Sequence, residues 1–328
     1  MPDAINIEAL QQYCEEFQRE LITIPTTSMD DIFNHFNVLP GIKDRYVLST
    51  LQLEKLLKPY GKDWSKKANV GAIKPRTLQV QIGEVNLEEN PLEYRKSWLA
   101  MLMKKGVDAS DHPFEKEFFE QILATVGHEL NMDVLFNGIY NSAGTDAVDV
   151  NNGFFKIITD ELAIGAQSAI DNAGDATEGF DLTRGNVIAT GAITSADALT
   201  KLKDMYRQID DAFRSRPVKM YMSYNVYDKY CDDYKAETGA NPYNTKYEQT
   251  YLEGSAGMCE IVPLAGMGTS QRVIISPEWN MCVGIDGESD QEKIEVMKTN
   301  PKTLAIFLAL AFGVQFATLD AVWINDQA

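Results

Sequence analysis

The residues able to do chemistry are few and scattered. His35, His112 and His128 are the three histidines of this 328-residue chain, and they stand far apart in sequence. The four cysteines, Cys14, Cys231, Cys259 and Cys282, show no CxxC or zinc-ligand spacing, so they read as small core residues suited to a reducing compartment. A hydrolytic nucleophile would sit in a GxSxG elbow, and none occurs. A phosphate-binding loop needs a lysine after its glycines; Gly266-Met267-Gly268 is followed by Thr269 and reads as a tight turn between strands. No HExxH pair, EF-hand loop or zinc cluster is present. The acidic pairs Asp210-Asp211 and Asp232-Asp233 fall at helix ends, where a solvated face is the ordinary role. Catalysis needs a constellation of groups, and the sequence offers none. The chain reads as a non-enzyme with no catalytic residue, no cofactor and no metal.

Charge carries more information. The net charge of −18 argues against sequence-specific nucleic-acid binding, because phosphate contacts need a basic surface. Within this acidic chain, Lys43 to Arg76 holds nine basic residues against three acidic ones, a surplus of six positive charges that leaves −24 for the remainder. Gly61 to Pro75 has few large apolar residues and no helical period, so it reads as an extended loop. The ordinary role of such lysines is a solvated loop. The sharper one is a basic arm lying on the acidic surface of another subunit, with Lys62, Trp64, Lys66, Lys67, Lys74 and Arg76 as its contact candidates. The opening residues are polar and acidic, unlike a signal peptide, and the most apolar run, Leu304 to Val314, is too short to cross a bilayer. These features describe an intracellular product that does not enter a membrane.

The elements that must position these groups follow from periodicity. The spacing predicts a long amphipathic helix over 111–137, with Phe114, Phe118, Ile122, Val126, Leu130 and Val134 recurring every fourth position and Phe119 and Leu123 widening the stripe. Asp111 and Pro113 suit its start and Asn137-Gly138 its stop. Shorter helices are predicted at 5–22, 29–36, 91–104 and from Gly153 to Ile158, with a loop over 165–186. A second strong helix is capped by Ser195 and carries Leu199, Leu202, Met205, Tyr206, Ile209 and Phe213 on one face. Thr77 to Leu87 alternates as strand, with Leu78, Val80 and Ile82 on one face until Gly83 shifts the phase. Val218–Ser223 is a strand, followed by a helix bearing Tyr227, Tyr230, Cys231 and Tyr234 that ends near Gly239. Strands follow at 258–262, 272–276, 281–285 and 292–298, and two more around Gly313 within 304–324. The fold class is α+β.

In this order the elements resemble the major capsid proteins of tailed bacteriophages, with the Hong Kong 97-type fold. The resemblance rests on the basic extended loop, the long helix, the glycine-containing segments Phe136-Asn137-Gly138-Ile139 and Asn152-Gly153-Phe154-Phe155, and two further stretches. These are Val262-Pro263-Leu264-Ala265-Gly266-Met267 and Arg272 to Asp286, a buried strand, a Pro and Asn turn, and a strand ending in Gly-x-Asp. It implies an N-terminal arm over 1–58, an E-loop and its return over 59–100, a P domain over 101–195 with its spine helix at 111–137, an A domain over 196–290, and P-domain return strands over 291–328. It also implies a structural subunit of an icosahedral or prolate phage head, assembled in the host cytoplasm into hexamers and pentamers that enclose packaged double-stranded DNA. The partners implied are the chain itself, a scaffolding protein, a portal and a cement or decoration protein, without cofactor. Fewer than sixty residues precede the E-loop, so a long scaffolding segment within the chain is not expected. Some members of the family weld lysine to asparagine; Asn300 and Asn325 are candidates here, without a matching lysine. An encapsulin-like compartment shell and an unrelated soluble α+β enzyme are the alternative readings.

Overall fold

The computed structural model describes residues 34–53, 57, 60, 71–89, 114–171, 180, 185–239, 251–286, 293–300 and 303–327. The helices expected at 5–22 and 91–104 lie outside these residues, as do 29–33 of the short helix and 61–70 of the basic loop. In chain order the strands and helices are β1 (Asn37–Pro40), β2 (Arg45–Leu53), β3 (Gly71–Gln79), β4 (Gln81–Glu89), α1 (Phe114–Glu129), α2 (Phe154–Asp171), β5 (Val187–Ile188), α3 (Ala198–Gln208), α4 (Asp211–Arg214), β6 (Val218–Met222), α5 (Tyr224–Thr238), β7 (Cys259–Pro263), β8 (Ile274–Ser276), β9 (Met281–Ile285), β10 (Lys293–Asn300), β11 (Thr303–Phe316) and β12 (Trp323–Asn325). They divide into two units. The first holds Met1–Asp44, Val80–Lys156 and Val283–Gly313; the second holds Arg45–Gln79, Ile157–Cys282 and Val314–Ala328. The chain therefore passes between units five times.

In the first unit β11 is the central strand. It pairs antiparallel with β4 from Leu304↔Glu89 to Phe312↔Gln81 and with β10 from Lys293↔Ala309 to Lys298↔Leu304. The expected phase shift of the 77–87 strand falls earlier than Gly83. β3 gives way to β4 at Val80, so Gly83 turns inward and Ile82 turns out, 54% exposed. The long helix is present, but its buried line is Phe119, Leu123, Val126, Leu130 and Val134, with Ile122 only half-buried. At 3.6 residues per turn, each step of four drifts about 40° around the helix, so an unbroken i+4 row cannot hold one face. The three-residue step from Leu123 to Val126 corrects the drift. From Leu130 to Val134 the helix widens into a π turn, with the Leu135 amide donating to the Leu130 carbonyl at 2.9 Å.

Two glycines clasp the end of this helix. Gly153 N–H donates to the Gly138 carbonyl at 2.8 Å, and Phe154 and Phe155 donate to Leu135 and Phe136 at 3.0 Å each. The Phe136 carbonyl would lie 2.5 Å from a Cβ at position 153, so only glycine admits this approach. The clasp gathers Phe36, Phe136 and Phe154 into one buried cluster, with ring centroids 5.7–6.2 Å apart. Substituting Gly153→Ala should destabilise the protein by about 1–3 kcal/mol through overpacking against backbone. A urea unfolding midpoint equal to the wild type would refute that role for the clasp.

The second unit is built on a mixed sheet in the order β5-β12-β8-β6-β7, with β6 parallel to β7 and antiparallel to β8. One core cluster joins Leu199, Leu202 and Met205 of α3, Val226 and Tyr230 of α5, and Met220, Ile261, Ile275 and Trp323 of the sheet. Several expectations shift here. The helix expected from Ser195 starts at Ala198, because Thr194 and Asp197 close the turn before it: Thr194 N–H donates to Asp197 Oδ1 at 2.8 Å. It stops at Gln208, since Asp210 Oδ1 accepts the Ala212 amide at 2.8 Å and begins α4 with Phe213 on it. The short helix expected at 153–158 runs to Asp171, into the segment expected as loop. α5 ends as expected, at Gly239 with φ +74°.

Three buried asparagines lock this unit. Asn280 donates to Ser276 Oγ (3.1 Å) and the Ala321 carbonyl (3.3 Å), and its Oδ1 accepts the Thr318 amide at 2.7 Å. Asn325 accepts from the Val273 amide at 2.9 Å and donates to the Gln271 carbonyl at 2.8 Å. Asn186 donates to the Leu319 and Val322 carbonyls, both at 2.8 Å. These bonds, with β12 between β5 and β8, bring residues 314–328 and 185–195 into the second unit. Gly313 lies inside one continuous β11 rather than between two strands.

Candidate functional site: the two-stranded arm and its anchor

β2 and β3 pair in a ribbon of nine rungs, Arg45↔Gln79 to Leu53↔Gly71, and form a two-stranded sheet of their own. β2 begins at Arg45, and 71–75 of the expected loop is strand. Nine residues at ~3.4 Å each extend about 30 Å. Pro75, which has no amide hydrogen to give, is tolerated because a two-stranded ribbon has only edge strands. One face carries Leu48 opposite Arg76 and Tyr46 opposite Leu78, with Leu78 fully buried. Val47, on the other face, is 54% exposed, and Leu57 and Tyr60 are almost entirely exposed.

Arg76 bolts the root of this ribbon. Its Nε donates to the Phe316 carbonyl at 3.0 Å, and one terminal nitrogen donates to Glu161 Oε1 at 2.6 Å and Gln315 Oε1 at 2.9 Å. Gln315 returns a bond from its amide to the Thr77 carbonyl at 3.2 Å. The planar guanidinium is suited to this divergent set of acceptors, and a lysine ammonium is not. Both charged side chains are mostly shielded, 17% and 14% exposed, so the pair outweighs an ordinary surface ion pair.

Of the contact candidates named from the sequence, Arg76 is therefore engaged within its own chain. Lys74 stands opposite Thr50 on β3, and Lys62, Trp64, Lys66 and Lys67 lie outside the described residues. Glu161, Gln315 and Phe316 were not legible as the anchor, because they lie 85 to 240 positions from Arg76 and no local pattern joins them.

The groups first considered for chemistry have structural roles. Cys259 is buried and Cys231 half-buried, and burial pushes both thiols up, away from the thiolate a nucleophile needs. Asp233 is not solvated as its position suggested. It is buried, and its Oδ2 accepts the Leu199 amide at 2.8 Å at the N-terminus of α3, where backbone donors and helix dipole favour an anion. Gly266-Met267-Gly268 is a tight turn, as expected, with φ +57° at Gly268. Asn325 has both ends of its amide engaged in the interior, which closes it to a neighbour's lysine. Among the described residues no cluster of metal-ligating side chains occurs, and no helix is long and apolar enough to cross a membrane.

Arg76→Ala should lower stability by about 2 kcal/mol, the scale of hydrogen bonds to a charged group, and expose the ribbon root to limited proteolysis. In a double-mutant cycle with Glu161→Gln the coupling should be about 1 kcal/mol. Additive effects would show that the pair does not hold the arm.

No family model matches the chain, and no curated protein matches it in sequence. Solved structures do match. A chain of the satellite phage P4 procapsid, a structure that includes the size determination (Sid) protein, aligns with TM-score 0.54 at 11% identity, covering 94% of this chain and 90% of that one. A capsid chain of a native GTA particle aligns with TM-score 0.56 at 9% identity, covering 90% and 96%. The likeness covers at least nine-tenths of the chain. The chain has the Hong Kong 97-type fold of capsid subunits.

Proposed function

We propose that the chain is the major structural subunit of a phage-type head, assembling with copies of itself into hexamers and pentamers that enclose double-stranded DNA. The observation that carries this reading is the Hong Kong 97-type fold over at least nine-tenths of the chain. In this reading residues 1–58, 59–100, 101–195, 196–290 and 291–328 remain the working N-terminal arm, E-loop, P domain, A domain and return strands, with the arm's strands beginning at Arg45. The chain has no enzymatic role. A separate scaffolding protein and a portal guide its assembly in the host cytoplasm, a cement protein is an optional addition, and the product resides in the virion.

The physics of the arm supports the same reading. Exposed Val47 of the ribbon, with Leu57 and Tyr60 beyond the end of β2, presents apolar area that a second molecule can cover. The positive surplus of residues 43–76 faces −24 over the remainder, which gives head-to-tail complementarity between copies and sets register more than affinity. When each subunit grips several neighbours, weak contacts add into a stable shell. An acidic inner wall also leaves packaged duplex free to move.

The test is size-exclusion chromatography of the full chain, alone and with its scaffold, followed by negative-stain microscopy of the void fraction. Closed shells, hexamers or pentamers are expected, and nucleic acid in native particles separates a phage head from a cargo-filled compartment. A chain that stays monomeric with its scaffold would overturn the proposal. Neutralising Lys62, Lys66, Lys67 and Lys74 together should abolish shells or weaken them; particles indistinguishable from wild type would remove the arm's charge from the mechanism.

A further inference from the structure

The chain contains two Asn-Gly dipeptides, Asn137-Gly138 and Asn152-Gly153, and the glycine clasp bonds one to the other. An asparagine followed by glycine can rearrange without an enzyme. The glycine amide nitrogen attacks the side-chain carbon Cγ, the new C–N bond closes a succinimide ring, and the side-chain nitrogen leaves as ammonia. Water then opens the ring to aspartate or to isoaspartate, in which the backbone runs through the side chain. Glycine permits the attack because no Cβ crowds its nitrogen. Neither glycine can be exchanged here. A Cβ at position 138 would overlap the Asn151 carbonyl oxygen, and one at position 153 would overlap that of Phe136. Packing therefore keeps a reactive dipeptide at both places, and local structure decides which of them reacts.

The two are held differently. Asn152 is half-buried between buried Asn151 and Gly153. Its Oδ1 accepts the Tyr140 amide at 2.9 Å, and the Gly153 amide donates to the Gly138 carbonyl at 2.8 Å. The carbon to be attacked and the attacking nitrogen are thereby both fixed. Asn137 is exposed, just past the π turn, and the Gly138 amide donates to the Val134 carbonyl through a longer bond of 3.2 Å. The Asn137 side-chain nitrogen donates to the Met132 carbonyl at 3.2 Å. We propose that Asn137 is a self-modification site, converted in the folded chain to aspartate and isoaspartate, whereas the clasp shields Asn152. The departing ammonia takes with it the donor to the Met132 carbonyl, and the new carboxylate can only accept. It also sets negative charge close to the C-terminal end of a helix, where the dipole opposes it. Isoaspartate lengthens the backbone by one carbon beside Gly138, where the Asn151 carbonyl leaves no space. Modification thus loosens the clasp that gathers Phe36, Phe136 and Phe154. The site lies within the first unit and does not depend on what the chain assembles into.

The full chain is incubated in mildly alkaline buffer and sampled over time, beside free peptides of residues 130–145 and 146–160. Peptide mapping by mass spectrometry reads the conversion of amide to acid at each site, and enzymatic isoaspartyl methylation reads the rearranged product. The two peptides should convert at similar rates. In the full chain Asn152 should fall behind Asn137 by about tenfold, since a further hydrogen bond must break before its ring can close. Equal rates at the two sites, a faster Asn152, or an Asn137 still intact when its peptide has converted would overturn the proposal. The urea midpoint of the aged chain should fall in step with conversion, and fresh Asn137→Asp should reproduce part of that fall. Asn137→Gln keeps an amide but closes such a ring far more slowly, so its midpoint should hold throughout. A midpoint that falls as far in aged Asn137→Gln as in the wild type would refute the link between this reaction and the clasp.

Discussion

Two strands cannot keep water from both of their faces, and the arm depends on what supplies the missing cover. An isolated hairpin is marginal in water at best. At its root this ribbon has Leu78 fully buried and the Arg76 guanidinium tied to Phe316, Gln315 and Glu161. Along the opposite face, from Val47 outward, the same chain offers no equivalent among the described residues. Among the described residues, then, the ribbon is anchored at its root while Val47 on its opposite face stays exposed. In the proposed assembly that cover comes from another molecule, and there the fold and the assembly reading become one physical problem.

Local signals carried much of the architecture. Gly239 with its positive φ, the alternation of Val218 to Met222 and the tyrosines of α5 fixed a strand and a helix to within a residue or two. The long helix was legible as a helix, and the regularity of its apolar row exaggerated one face of it. Val126, Leu130 and Val134 belong both to that row and to the buried line, whereas Ile122 belongs to the row and is only half-buried. The break between β3 and β4 was misplaced for a similar reason. Val80 and Ile82 look alike, and only pairing with β11 decides which of them turns inward.

Long-range polar bonds were the illegible part. Asn186, Asn280 and Asn325 look like turn residues, and each is instead buried and bonded to segments 38 to 136 positions away, Asn280 keeping one local bond to Ser276 as well. Asp233 sits mid-helix beside a second aspartate, a setting typical of a wet face, yet its carboxylate completes the start of α3. An unsatisfied buried amide or carboxylate costs about 1–3 kcal/mol or more, so such residues tolerate few replacements once the fold exists. Nothing in their immediate sequence announces it.

The anchor of the arm also imposes an order of events. The guanidinium of Arg76 and the carbonyl of Phe316 are 240 positions apart. At a synthesis rate of 5–20 residues per second, the acceptor follows the donor by on the order of ten to fifty seconds. During that interval β2 and β3 have left the ribosome while the backbone oxygen that sets their direction does not yet exist. Nascent chains therefore carry unanchored arms until Phe316 has been made, and the anchored geometry of the ribbon root arises only after that.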